Sequence, residues 1–183
     1  MALVTLAEAK TQLNLGSTDR HDVELELYVE ALTSVIEGYV GAVEPRQVTQ
    51  EVTACRGALT LATIPVVSVD TVTPYSGGTD LDPAALSVDV AGVVRRRDGV
   101  PIPPGPWTVT YTVGRGDPVP PTIRLAALML LQHLWRTQTA TRGPVLSGGD
   151  DFSVTESVPG FGYAVPNRVL QLLEPFKLPP GVA

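Results

Sequence analysis

A single cysteine, Cys55, and two histidines, His21 and His133, are the only residues of their kinds in 183. Little material is left for catalysis or metal binding. Cys55 has no partner for an intrachain disulfide and lies in a strand-like stretch with Val52 and Ala54, where a free thiol serves as a small hydrophobe. His21 falls in the acidic run DRHDVELE at a helix start and reads as a solvated side chain. His133, within a long apolar segment, reads as a hydrogen-bonded core or interface residue. Neither has a second titratable group at a spacing that would make it a general base or a ligand. Asp150 and Asp151 are adjacent, so their carboxylates point apart, and no third ligand is near. The glycine runs at Gly114-Arg115-Gly116 and Ser147-Gly148-Gly149 lack the spacing and the lysine of a phosphate-binding loop and read as turns. No catalytic, cofactor or metal residues are expected, and the chain is not read as an enzyme.

Charge is also sparse. Thirteen basic against nineteen acidic residues give a net charge of −6. Such a field repels nucleic acid, which argues against sequence-specific DNA binding. The opening MALVTLAEAK reaches Glu8 and Lys10 too soon for a signal peptide, so a cytoplasmic chain is expected. The longest apolar stretch, from Ile123, is interrupted by Gln132, His133 and Arg136 short of the roughly twenty residues a membrane span needs.

What is present is a core-forming chain, 44% hydrophobic, with seventeen glycines and seventeen prolines to punctuate it. Thr5 and Glu8 form a capping box that starts a helix over Leu6 to Leu13. After a polar turn from Asn14 to Asp19, apolar residues at Leu25, Tyr28, Val29, Leu32, Ile36, Tyr39 and Val40 recur at spacings of three and four, which predicts a second helix closed by Gly41. From Gln47 the period becomes two. Val48 and Val52, then Val67 and Val69, then Leu86, Val88 and Val90 alternate with polar residues as half-buried strands do. The cleanest strand is WTVTYTV, with Trp107, Val109, Tyr111 and Val113 on one face. Turns at Ser76-Gly77-Gly78 and Asp98-Gly99 suit an antiparallel sheet or small barrel.

Gly114, Gly116 and Pro118 to Pro121 end the sheet and lead into PTIRLAALMLLQHLWR, a helix expected to be buried on nearly every face with the two early helices packed on it. The following segment, TQTATRGPVLSGGDD, is longer than ordinary connections of about four to six residues and is a candidate for partner contact. A short strand-like stretch from Phe152 to Val158 and the run PGFGYAVP precede a short helix capped by Asn167 and stopped by Pro175, with Val169, Leu170, Leu172 and Leu173 on its apolar side. The fold class expected is α+β: a small helical bundle of two N-terminal helices, a central buried helix and a short C-terminal helix, with an inserted antiparallel β lobe. Residues 1–43 and 121–183 would form the helical core with its C-terminal arm, and residues 44–120 the lobe.

Arg95, Arg96 and Arg97, just before the Asp98-Gly99 turn, are the one concentrated positive patch. They form a candidate polar tip of the lobe, solvated or facing phosphates or an acidic surface, without the interleaved aromatics that stack bases. Arg115-Gly116-Asp117 spells an adhesion tripeptide but is read as coincidence.

The order MALVTLAEAKTQLNL, then LTSVIEGYVG, then VTYTVGRGDPVPPTIRLAALMLLQHLWR resembles the head-tail connector (adaptor) proteins of tailed bacteriophages, in particular the longer type with a β insertion between the second and third helices. The tail, GFGYAVPNRVLQLLEPFKLP, is similar to that of adaptors from phages of actinobacteria. The resemblance implies a structural virion protein made in the bacterial cytoplasm. Copies would form a ring, typically twelvefold, beneath the portal protein. The ring would continue the DNA channel without sequence-specific binding and offer a platform to a stopper or tail protein. Candidate contacts to the portal or to a neighbouring copy are Arg142, Asp150 and Asp151 in the long loop, and Phe161, Tyr163, Leu170 and Leu173 in the tail. Two other readings fit the residues: a β module binding a ligand or peptide on a helical scaffold, and a ring component of DNA packaging.

Overall fold

A computed structural model describes residues 3–139 and 165–178. Four helices, α1 (Leu6–Leu13), α2 (Asp22–Val40), α3 (Pro121–Thr139) and α4 (Asn167–Leu173), accompany six strands: β1 (Arg46–Thr53), β2 (Leu59–Thr60), β3 (Val66–Pro74), β4 (Leu86–Val88), β5 (Val93–Arg96) and β6 (Pro106–Val113). The fold is α+β. The chain divides into two compact units, one built from Val35–Pro120 with the segment from Phe176, the other from Ala2–Ser34 and Pro121–Pro175. Helix α2 runs from the second unit into the first.

In the first unit the strands form two three-stranded antiparallel sheets, ordered β1-β6-β3 and β2-β5-β4. The central strand β6 alternates as its sequence requires: Trp107, Val109, Tyr111 and Val113 are buried and the threonines between them are not. The two sheets share one core, in which Leu59, Val72, Leu86, Val94 and Ile102 meet the inward residues of β6. Polar groups at its margin are satisfied. The Tyr111 hydroxyl donates to Gln50 Oε1 at 2.9 Å, and the same oxygen accepts from the Ala62 N–H at 3.0 Å.

Three expectations are corrected here. The expected single sheet or small barrel is two sheets, because the short β2, which carries too few residues to show a period, pairs with β5 instead of extending β1. Val90 does not continue β4. It stands 77% exposed in a tight turn whose N–H groups at Ala91 and Val93 are held by the Asp89 carboxylate. Cys55 is exposed and lies beyond the end of β1, bridging to Ala58 across a turn in which Arg56 and Gly57 have positive φ.

In the second unit α1 begins at the expected capping box. The Thr5 N–H donates to Glu8 Oε2 at 2.9 Å and the Glu8 N–H to Thr5 Oγ1 at 3.3 Å. That reciprocal bond from the Thr5 backbone is the main reason the Glu8 carboxyl lies below its ordinary value. The same carboxylate pairs with Arg124 on α3, and Gln12 bonds Gln132 one turn of α1 further on, at 3.4 Å. Trp135 near the end of α3 meets His21 and Tyr28 in T-shaped contacts, at 5.3 and 6.1 Å between ring centroids. The early helices therefore pack on α3, as expected. Its burial, however, follows one face. Ile123, Ala126, Ala127, Leu130, Leu131 and Trp135 are buried, whereas Leu125 is half exposed and His133 is exposed. An apolar composition does not by itself place a residue inside; the helical phase does. Helix α4 packs on α3 through the buried Val169 and Leu173. Its N-cap is Pro166, not Asn167, with no side-chain cap bond, since Asn167 already sits at the first helical position.

Candidate assembly surfaces

Helix α2 ends at Val40, and Gly41 closes it at φ +78°. A Cβ at Gly41 would run into the Ile64 carbonyl oxygen, which is held close because it accepts from the Ala42 N–H at 2.8 Å. Only glycine meets both conditions. Around this corner two clamps are built, both within the first unit.

The first centres on Glu37. Its carboxylate accepts both prongs of the Arg46 guanidinium, at 2.7 and 3.0 Å, and the Val43 N–H at 2.9 Å. Burial pushes this acid up, but the guanidinium and the N–H outweigh it and hold the carboxyl below its ordinary value of 4.5. The second centres on Arg115. One of its terminal nitrogens donates to the Val40 carbonyl at 2.6 Å and to the Phe176 carbonyl, while the guanidinium lies over the Phe176 ring, 5.4 Å from its centroid. A cation set against the last carbonyls of a helix also suits the negative end of its dipole. Burial lowers the Arg115 pKa. The tripeptide containing Arg115 is thus not displayed, because its arginine is turned inward onto α2 and the C-terminal turn.

Beyond Phe176 the chain lies on the same corner. The Lys177 ammonium sits 5.4 Å from the centre of the Tyr39 ring. Tyr39, Glu37, Arg46, Thr63, Lys177 and Leu178 line an open groove of about 460 Å³. Sequence reasoning missed this assembly. Its one local signal was the glycine after α2.

The sequence-derived candidates fall elsewhere. Arg95 pairs with Asp89 at 3.2 Å, Arg96 with Asp98 at 2.5 Å, and the Arg97 Nε donates to the Leu86 carbonyl at 2.8 Å. Two of the three arginines of the candidate polar tip are thus paired with nearby acids, and Arg97 is turned onto a backbone carbonyl. Leu173 is buried within its own chain and Leu170 is half-buried, so of the two only Leu170 keeps surface to offer. Arg142, Asp150, Asp151, Phe161 and Tyr163 lie outside the described residues. Among the described residues no cluster of three or more histidine, cysteine or acidic side chains could hold a metal, and no helix is long and apolar enough to cross a membrane.

Comparison with known proteins adds the following. Residues 2–178 match the family described as head completion protein. No curated protein matches the chain. Among solved structures, a chain from the neck of an empty GTA particle computed with C6 symmetry is similar at 22% identity with a TM-score of 0.66, covering 99% of this chain and 92% of that one. A chain from the neck of a native GTA particle computed with C12 symmetry is similar at 21% identity and a TM-score of 0.62, covering 97% and 90%.

Proposed function

The chain belongs to the head completion protein family, and from that premise we propose that copies of it form a ring at the junction of head and tail, continuing the channel through which DNA passes. The match over residues 2–178 carries this reading, since it takes in both units and nearly the whole length. The role is structural. The ring docks beneath the portal protein and presents its other side to a stopper or tail protein.

Physical features support it. A ring subunit needs two different surfaces that meet head to tail, and a chain of two compact units has room for both. A chain of net charge −6 gathers few phosphates, which lets a passing duplex slide, because counterion release is what fastens basic surfaces to DNA. The likeness to chains of particle necks computed with C6 and C12 symmetry is consistent with a twelvefold arrangement.

Within this reading Phe161, Tyr163 and Leu170, with Arg142 and the acidic pair Asp150 and Asp151, contact the portal or a neighbouring copy. Phe161→Ala with Tyr163→Ala is expected to weaken portal binding at least tenfold while leaving thermal stability unchanged. Equal binding by the double variant removes these residues from the contact. The function itself is tested by particles made without this protein: filled heads that lose DNA or fail to join tails are expected, and intact tailed particles would overturn the proposal.

A further inference from the structure

Helix α2 is apolar on two opposite sides. Leu25, Val29, Leu32 and Ile36 form its buried stripe, and an ordinary surface helix turns charged residues to the other side. Here the outward midline is Val23, Leu27, Ala31 and Ser34. Val23 is 85% and Leu27 68% exposed, and Ala31 and Ser34 are exposed as well. The acids stand beside this stripe, Glu26 and Glu30 along one edge and Glu24 along the other. The whole helix carries five acidic residues and no basic one.

Helix α3 shows the converse. Its outward side runs through Pro121, Leu125, Met129, Gln132 and Arg136; Leu125 is half exposed, Arg136 and the adjacent His133 are exposed, and Met129 and Gln132 are half-buried, with Gln132 at the margin bonding Gln12 of α1. It carries no acid, and since Arg124 is already paired with Glu8 of α1, Arg136 is the basic residue this face offers. Both stripes advance by four, four and three residues, so their ridges have the same pitch. Both also belong to the unit formed by Ala2–Ser34 and Pro121–Pro175.

We infer that the outward face of α2 in one copy packs on the outward face of α3 in the next. The inference rests on the ring reading and names its subunit contact. Two different, complementary faces on one subunit are what a head-to-tail contact requires, and like faces would meet only in a twofold pair. The charges set the direction. The acids Glu24, Glu26 and Glu30 lie in the first half of α2 and Arg136 lies in the last turn of α3, so opposite charges align when the helices run antiparallel. That alignment also sets Ala31 opposite Met129 and Ser34 opposite Leu125, small against large.

The test is a charge exchange on the full chain, read by sedimentation velocity from micromolar to millimolar concentration. Glu26→Lys with Glu30→Lys makes the α2 face basic; His133→Glu with Arg136→Glu makes the α3 face acidic. Each variant alone sets like charges against each other, and its self-association is expected to fall about tenfold or more below wild type. An equimolar mixture restores assembly, because alternating copies again pair acid with base at every contact. All four positions are exposed or edge residues, and unchanged circular dichroism confirms that each variant is folded. If wild type assembles and both single-face variants assemble equally well, the contact is wrong while the ring reading stands. If wild type stays monomeric throughout and also on portal protein, the ring reading fails and the contact with it. Strong, concentration-independent protection of the Val23–Leu27 face in monomers assigns it to residues 140–164 of the same chain and overturns the inference.

Discussion

At the scale of single residues the structure depends on a few polar groups that act over long sequence distances. Arg115 joins residues 75 and 61 positions away, at Val40 and Phe176. A charged donor to two carbonyls contributes about 2–3 kcal/mol. Arg115→Met is expected to lose that amount in urea denaturation, and Arg115→Lys to recover less than half, since an ammonium cannot stack on the Phe176 ring and span both oxygens equally. Glu37 predicts a pH dependence. Its folded carboxyl lies below 4.5, so its stabilisation is fully present above the unfolded value and is lost as pH falls through the folded one. Stability measured from about pH 6 down to pH 3 should drop, and Glu37→Gln should flatten that limb. An unchanged slope in the variant would mean that the clamp with Arg46 adds nothing to folding. None of this was legible in the sequence. A capping box is visible because its two residues are three apart, as at Thr5 and Glu8, whereas the Arg115 cluster exists only after α2, β6 and the C-terminal turn have converged.

At the scale of elements, periodicity located most of the fold. Helix α1 spans the residues its cap and spacing predicted, α2 ends at the predicted glycine, and β6 buries the predicted face. What failed did so where the pattern was too short or too uniform to carry phase. Two-residue β2 has no period, Val90 fits a strand until the Asp89 turn intervenes, and the leucine-rich α3 hid which of its sides faces inward. The amphipathic placement of α3 has a direct check. Leu131→Ala removes a fully buried side chain and should cost about 2–5 kcal/mol, while Leu125→Ala, half exposed, should change stability by less than about 0.5 kcal/mol. Comparable losses at both positions, read from thermal or urea unfolding, would mean that α3 is enclosed on all sides in the isolated subunit. The arginine triplet teaches the same lesson about charge. A run that looks concentrated in sequence has two of its three arginines paired in space, with Asp89 and Asp98.

At the scale of the whole molecule, two compact units serve a protein of the head completion family. The family was legible in the order of helices and strands, and the match spans residues 2–178. The assembly surfaces were less so, because a contact with another copy leaves only an exposed apolar stripe such as Val23 and Leu27, which in sequence is indistinguishable from core. The most direct test is electron microscopy with mass determination of the protein alone and mixed with the portal protein of its own particle. The account predicts closed rings, alone or on the portal. A monomer that persists at high concentration and ignores the portal would contradict it.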